Sequence, residues 1–155
     1  MHKTITILTF VFSILVTISC SQSTNCTKDN SYRIDYFSSG GFTGMERGVT
    51  IDCNGWLKKW ERKLNSTKTI VDSLKLSSSA MKNINNAMKD SNIYNYYFNK
   101  IANYTTSIVL TNQNKVHTIS YSSSEVPGDL PNSIKAILIE IEKIKWLWSP
   151  NENNY

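Results

Sequence analysis

The sequence predicts an α+β fold: an antiparallel β-sheet with two amphipathic helices packed on one face. Three observations carry this. Short segments with apolar residues at every second position recur between turn residues, which is the strand pattern. Two longer segments, 80–88 and 134–148, place apolar residues three and four positions apart, which is the helix pattern. The connections within each group of strands are short, so successive strands pair as hairpins. The chain order is strands, helix, strands, helix, and two amphipathic helices need a sheet face to cover. The other sheet face is then partly solvated.

The elements follow in order. Met1-His2-Lys3 gives a basic start, Ile5 to Ile18 is apolar apart from Thr and Ser, and Ser19-Cys20 follows. A basic start, a short apolar run and a small residue before the cut make residues 1–19 a signal peptide. The segment "LVTISC" resembles a bacterial lipobox, with Ser19 at its last position and Thr17 where the usual pattern has Leu. The resemblance implies that Cys20 is the first mature residue and carries the lipid anchor. The chain would then be an exported lipoprotein of the bacterial cell envelope, held to a membrane at the periplasmic side or the cell surface. Residues 20–30 read as a polar tether, 31–148 as one domain and 149–155 as a fraying tail.

Within the domain, "YRIDYFS" alternates Tyr32, Ile34 and Tyr36 against Arg33, Asp35 and Phe37. "GVTIDC" supplies β-branched residues, and Asn54-Gly55 after it predicts a type I′ hairpin turn. That turn favours a strand for "WLKKWERKL", whose lysines and Trp60 read as a solvated face. "TKTIVDSLKLS" either continues this strand with a bend or begins another. Ser77, Ser78 and Ser79 offer N-caps to a helix with Ala80, Met81, Ile84, Ala87 and Met88 on one side. An aromatic connection, "IYNYYFNKI", packs over a core edge. "YTTSIVLT" and "KVHTISYS" form a second hairpin around Asn112-Gln113-Asn114. Pro131 suits the first turn of a final helix, striped by Ile134, Ile137, Leu138, Ile141, Ile144, Leu147 and Trp148.

Composition narrows the function. Removing residues 1–19 leaves 136 residues, enough for one domain with a real core. The net charge of +5 is spread along the chain. The densest basic group, Leu57 to Lys63, surrounds Trp60, but export argues against a nucleic-acid partner. Cys26 and Cys53 remain beyond Cys20, and an exported chain allows but does not require their disulfide. His117 is the only histidine of the mature chain and sits in a strand. No zinc, calcium or nucleophile-elbow pattern occurs, so no metal, cofactor or catalytic set is expected. An enzyme would need residues that converge only in space, and is the weakest reading.

The stretch "FSSGGFTGMERG", Phe37 to Gly48, holds four of the chain's six glycines. A phosphate loop needs Lys-Ser/Thr after the glycines or a helix beyond them. This stretch has neither. Two readings stay open. The glycines accept a wide turn while Phe42 folds onto the core, or the stretch is an interaction tip with Phe42 as its anchor. "SGGFTG" after the first strand, "IDCNG" closing the second, and the loop-to-helix segment "EVPGDLPNSIKAILIEI" resemble the emfourin (protealysin inhibitor) family. That resemblance implies a compact α+β domain that inhibits thermolysin-type metalloproteases. It places interest on Gly40, Gly41, Phe42 and Gly44. The expected function is therefore a non-enzymatic protein-binding module, with a secreted metalloprotease as one candidate partner. The alternative is a structural or envelope-assembly lipoprotein.

Overall fold

The computed structural model describes residues 26–27, 31–41, 44–113 and 115–145. In chain order it contains β1 (Tyr32–Gly40), β2 (Met45–Asp52), β3 (Trp56–Lys63), β4 (Thr69–Lys75), α1 (Ser78–Met88), β5 (Tyr104–Asn112), β6 (Lys115–Ser122) and α2 (Asn132–Lys145). A 3-10 turn at Ser91–Tyr94 follows α1. The strands form one sheet in the order β4-β3-β2-β1-β5-β6, and every neighbouring pair is antiparallel. The first four strands are a meander. The chain then crosses by way of α1 to the free side of β1 and adds the β5–β6 hairpin.

Alternation along the strands decides the faces. Ile34 and Tyr36, Val49 and Ile51, Leu57, Ile108 and Leu110, and Ile119 and Tyr121 form one buried cluster with the helices. Ala80, Met81, Ile84, Ala87 and Met88 of α1 and Ile134, Ile137, Ile141 and Ile144 of α2 complete it, so both helical stripes point into the same core. Leu147 and Trp148, the last residues of the α2 stripe, lie outside the described residues. Ser77 caps α1 by accepting a hydrogen bond from the Ala80 N–H at 3.2 Å. Across the helix pair, Asn83 donates to Glu140 Oε1 at 2.8 Å, and Lys143 donates to the same oxygen.

The two sheet edges differ. Residues 98–100 run alongside β6, with Ser120 N–H donating to Phe98 O at 3.0 Å and Lys100 N–H to Ser120 O at 2.9 Å. The aromatic connection thus covers that edge. On β4 every side chain but Leu74 is exposed, and Asp72 and Lys75 place charge along this open edge.

Several sequence expectations change in detail. "TKTIVDSLKLS" is a separate strand, β4, reached through a turn in which Asn65 takes φ 61°. The Asn54-Gly55 turn is not type I′, because Gly55 (φ 80°) takes positive φ and Asn54 does not. The turn sits one residue earlier. Gly55 N–H donates to Asp52 O at 2.8 Å, and Trp56 N–H to Asp52 Oδ1 at 3.0 Å. This is a type I turn followed by a left-handed glycine, the usual three-residue hairpin loop. The Asp52 carboxylate selects it by capturing the Trp56 N–H.

Cys26 and Cys53 are joined in a disulfide, with Cα atoms 5.5 Å apart. The segment read as a free tether is therefore fastened at Cys26 to the β2–β3 turn. Cys20 and the rest of residues 1–25 lie outside the described residues, as does the tail from 146 onward.

Candidate functional site

The glycine stretch forms the connection between β1 and β2. Gly44 N–H donates to Gly41 O at 3.3 Å and closes a four-residue turn. Phe42 and Thr43, the two central residues, lie outside the described residues. Gly40, Gly41 and Gly44 all have positive φ, at 124°, 73° and 57°. At Gly40 the requirement is doubled, since a Cβ would stand 1.8 Å from the backbone oxygen of Asn103. That close approach lets Gly41 N–H donate to Asn103 O at 3.1 Å. On the opposite flank, Leu64 N–H donates to Gly44 O at 3.1 Å. The turn is thus pinned on one side to the start of β5 and on the other to the β3–β4 turn.

These flanks bring two apolar side chains beside the glycines. A Cβ on Gly41 would meet the Tyr104 hydroxyl at 2.9 Å and its ring at 3.1 Å, and one on Gly44 would meet Leu64 Cβ at 3.4 Å. Tyr104 is 60% exposed and Leu64 73% exposed. Neither was singled out from the sequence. Leu64 ends a basic strand and Tyr104 opens a Thr-rich one, and only the register of the sheet places both at the tip.

The sheet face away from the helices carries a second cluster, also absent from the sequence reading. Trp60 was read there as part of a solvated face, yet it is fully buried. Its Nε1–H donates to Thr50 Oγ1 at 3.0 Å. Phe37 packs beside it with ring centroids 5.6 Å apart. The two aromatics meet across Gly48, which pairs with both of them in the sheet. A Cβ at Gly48 would stand 2.4 Å from Phe37 Cβ. Lys68 lies over the indole at 4.0 Å from its centroid, a cation–π contact. The same ammonium reaches Asp35 Oδ1 at 2.8 Å.

Asp35 is buried and saturated. Thr50 and Lys68 donate to Oδ1, and Arg33 pairs with Oδ2 at 2.9 Å. Burial pushes its carboxyl up, but the hydrogen bonds from Lys68 and Thr50 and the charges of Lys68 and Arg33 outweigh it and hold the pKa below the usual range. At neutral pH Asp35 is an ionised counter-charge with donors on both oxygens. It holds Lys68 over Trp60. Glu140 behaves alike: burial raises it, and Lys143 and Asn83 bring it below its ordinary value.

Both carboxyls have depressed pKa values in the fold. Their stabilisation is present above the unfolded value of about 4 and is lost as the pH falls through the folded value. Urea midpoints measured from pH 7 downward should fall below about pH 4. Asp35→Asn should be less stable at pH 7 and show a shallower acid slope.

Elsewhere, His117 is half-buried, and its Nε2 lies 2.6 Å from Tyr96 O, with no carboxylate or nucleophile in that contact. Among the described residues, no three His, Cys, Asp or Glu side chains converge as a metal site. A concavity of about 510 Å³ lies between α2 and the sheet, lined by Tyr36, Tyr121, Val126, Leu138, Ile139, Glu142 and Lys143. Burial pushes Tyr121 well above the usual tyrosine range, so it remains a neutral hydroxyl.

Compared with known proteins, the chain matches no family model and no curated protein.

Proposed function

We propose that the chain is an exported bacterial lipoprotein, anchored through Cys20, whose domain is a non-enzymatic protein-binding module of the metalloprotease-inhibitor kind. The glycine hairpin is its contact point. The observation that carries this reading is the tip itself: a narrow turn, fastened on both flanks by backbone hydrogen bonds, with exposed Leu64 and Tyr104 beside it. Flanks held by backbone hydrogen bonds lose little entropy on docking, and exposed apolar anchors supply contact area. A turn fastened in this way can enter a partner's cleft, as an inhibitor segment enters a protease active site. The resemblance of "SGGFTG" to the emfourin family points to the same partner class.

The direct test is titration of the domain, residues 21–155, against a thermolysin-type metalloprotease. Inhibition at micromolar concentration or below is expected. No inhibition at that level would remove the inhibitor assignment. The anchor has its own test. Mass spectrometry of the mature N-terminus should show an acylated Cys20, and an unmodified peptide beginning after Cys20 would remove the lipoprotein assignment.

A further inference from the structure

The disulfide has a consequence for how an anchored domain meets its membrane. Cys53 lies in the β2–β3 turn, and the glycine hairpin lies at the other end of β2. Between Cys20 and Cys26 there are six peptide links, which span at most ~20 Å when fully extended. The eight residues of β2 carry the chain ~26 Å from the disulfide end toward the glycine hairpin. With its lipid on Cys20, the domain is held short at the disulfide end of the sheet.

That end has the composition of a membrane-contact surface. On the face away from the helices, Lys75 pairs with Trp56 in the sheet, and its Nζ lies 5.2 Å from the indole centroid. Trp56 is 44% exposed. In the same cross-strand row, Arg33 pairs with Thr111, which pairs with Val116, 67% exposed. Asp52, which faces Arg33 in the sheet register, is the one acidic side chain in this row, and its carboxylate is engaged by the Trp56 N–H; Arg33 keeps its ion pair with Asp35 while its side chain is 57% exposed. Half-exposed tryptophan suits the headgroup layer, and lysine and arginine beside it suit anionic lipid.

We infer that this row of Arg33, Trp56, Lys75 and Val116 rests on the anionic headgroups of the bilayer that holds the anchor, with the glycine tip directed away from it. The inference rests on the anchoring assignment above and adds a surface and an orientation to it. It explains what a disulfide so near the anchor achieves: it limits how far the sheet end can stand from Cys20.

The test uses the full chain purified with its anchor from a host that processes lipoproteins. It is reconstituted into vesicles of phosphatidylglycerol and phosphatidylethanolamine brominated at a shallow acyl position. Part of the tryptophan emission should be quenched, and that part should be missing from Trp56→Phe. Quenching of Trp56 should also weaken in Lys75→Glu. Equal quenching in wild type and Trp56→Phe, or none in either, would overturn the assignment. Flotation and the mass of the N-terminal peptide separate the two levels. Acylated, floating protein with Trp56 unquenched sinks only the contact surface. Unmodified Cys20 in protein that does not float sinks the anchor and this surface with it.

Discussion

Trp60→Ala is expected to destabilise the domain by about 3–5 kcal/mol, the range for removing a fully buried large aromatic. Trp60 is fully buried on a sheet face that the helices do not cover. Its removal strips the packing partner of Phe37 and the ring beneath Lys68. It also leaves Thr50 without its indole donor. For a domain whose total stability falls in the ordinary range of about 5–15 kcal/mol, such a loss approaches global unfolding. Urea denaturation gives the number. Trp60→Phe separates packing from hydrogen bonding, because it keeps a ring and forfeits the Thr50 bond, worth about 1 kcal/mol. A loss below about 1 kcal/mol in Trp60→Ala would show that this face contributes no core of its own.

Loss of the Cys26–Cys53 disulfide should have the next largest effect. The bridge closes a segment of sequence separation 27. In the chain-entropy account, a loop of that size stabilises by about 3–4 kcal/mol through restriction of the unfolded chain. Cys26→Ser/Cys53→Ser should therefore shift the urea midpoint strongly while leaving the sheet register intact, since Cys53 N–H still donates to Tyr32 O at 3.2 Å. Reduction of the wild type should match the double variant. A double variant as stable as the wild type would contradict a net stabilising role for the bridge.

These two sites also show where the sequence was informative. The helix stripes were legible, because Ala80, Met81, Ile84, Ala87 and Met88 signal a buried face by local spacing alone, and all are buried. The hairpins were legible because their turns are short and polar. Trp60 was misread because its cover is not local. Lys68 arrives around a turn and Phe37 from two strands away across Gly48, and neither shows in "LKKWERK". The type I′ expectation failed because a side chain, Asp52, fixed the turn one residue earlier. Cys26–Cys53 stayed open because two cysteines do not specify their pairing. At the tip, the glycines announced themselves, while Leu64 and Tyr104 came into view only with the strand register.

The tip can be separated from the fold by experiment. Leu64 and Tyr104 are exposed, so Leu64→Ser/Tyr104→Ser should change stability by no more than about 1 kcal/mol. Loss of two contact anchors should weaken partner binding by about 1.4 kcal/mol or more, at least tenfold. The most direct measurement is the inhibition constant against a thermolysin-type protease, taken for wild type and double variant alongside their melting curves. Unchanged melting with inhibition weakened tenfold or more is the predicted result. Inhibition by the double variant equal to that of the wild type would contradict the glycine hairpin as the contact point.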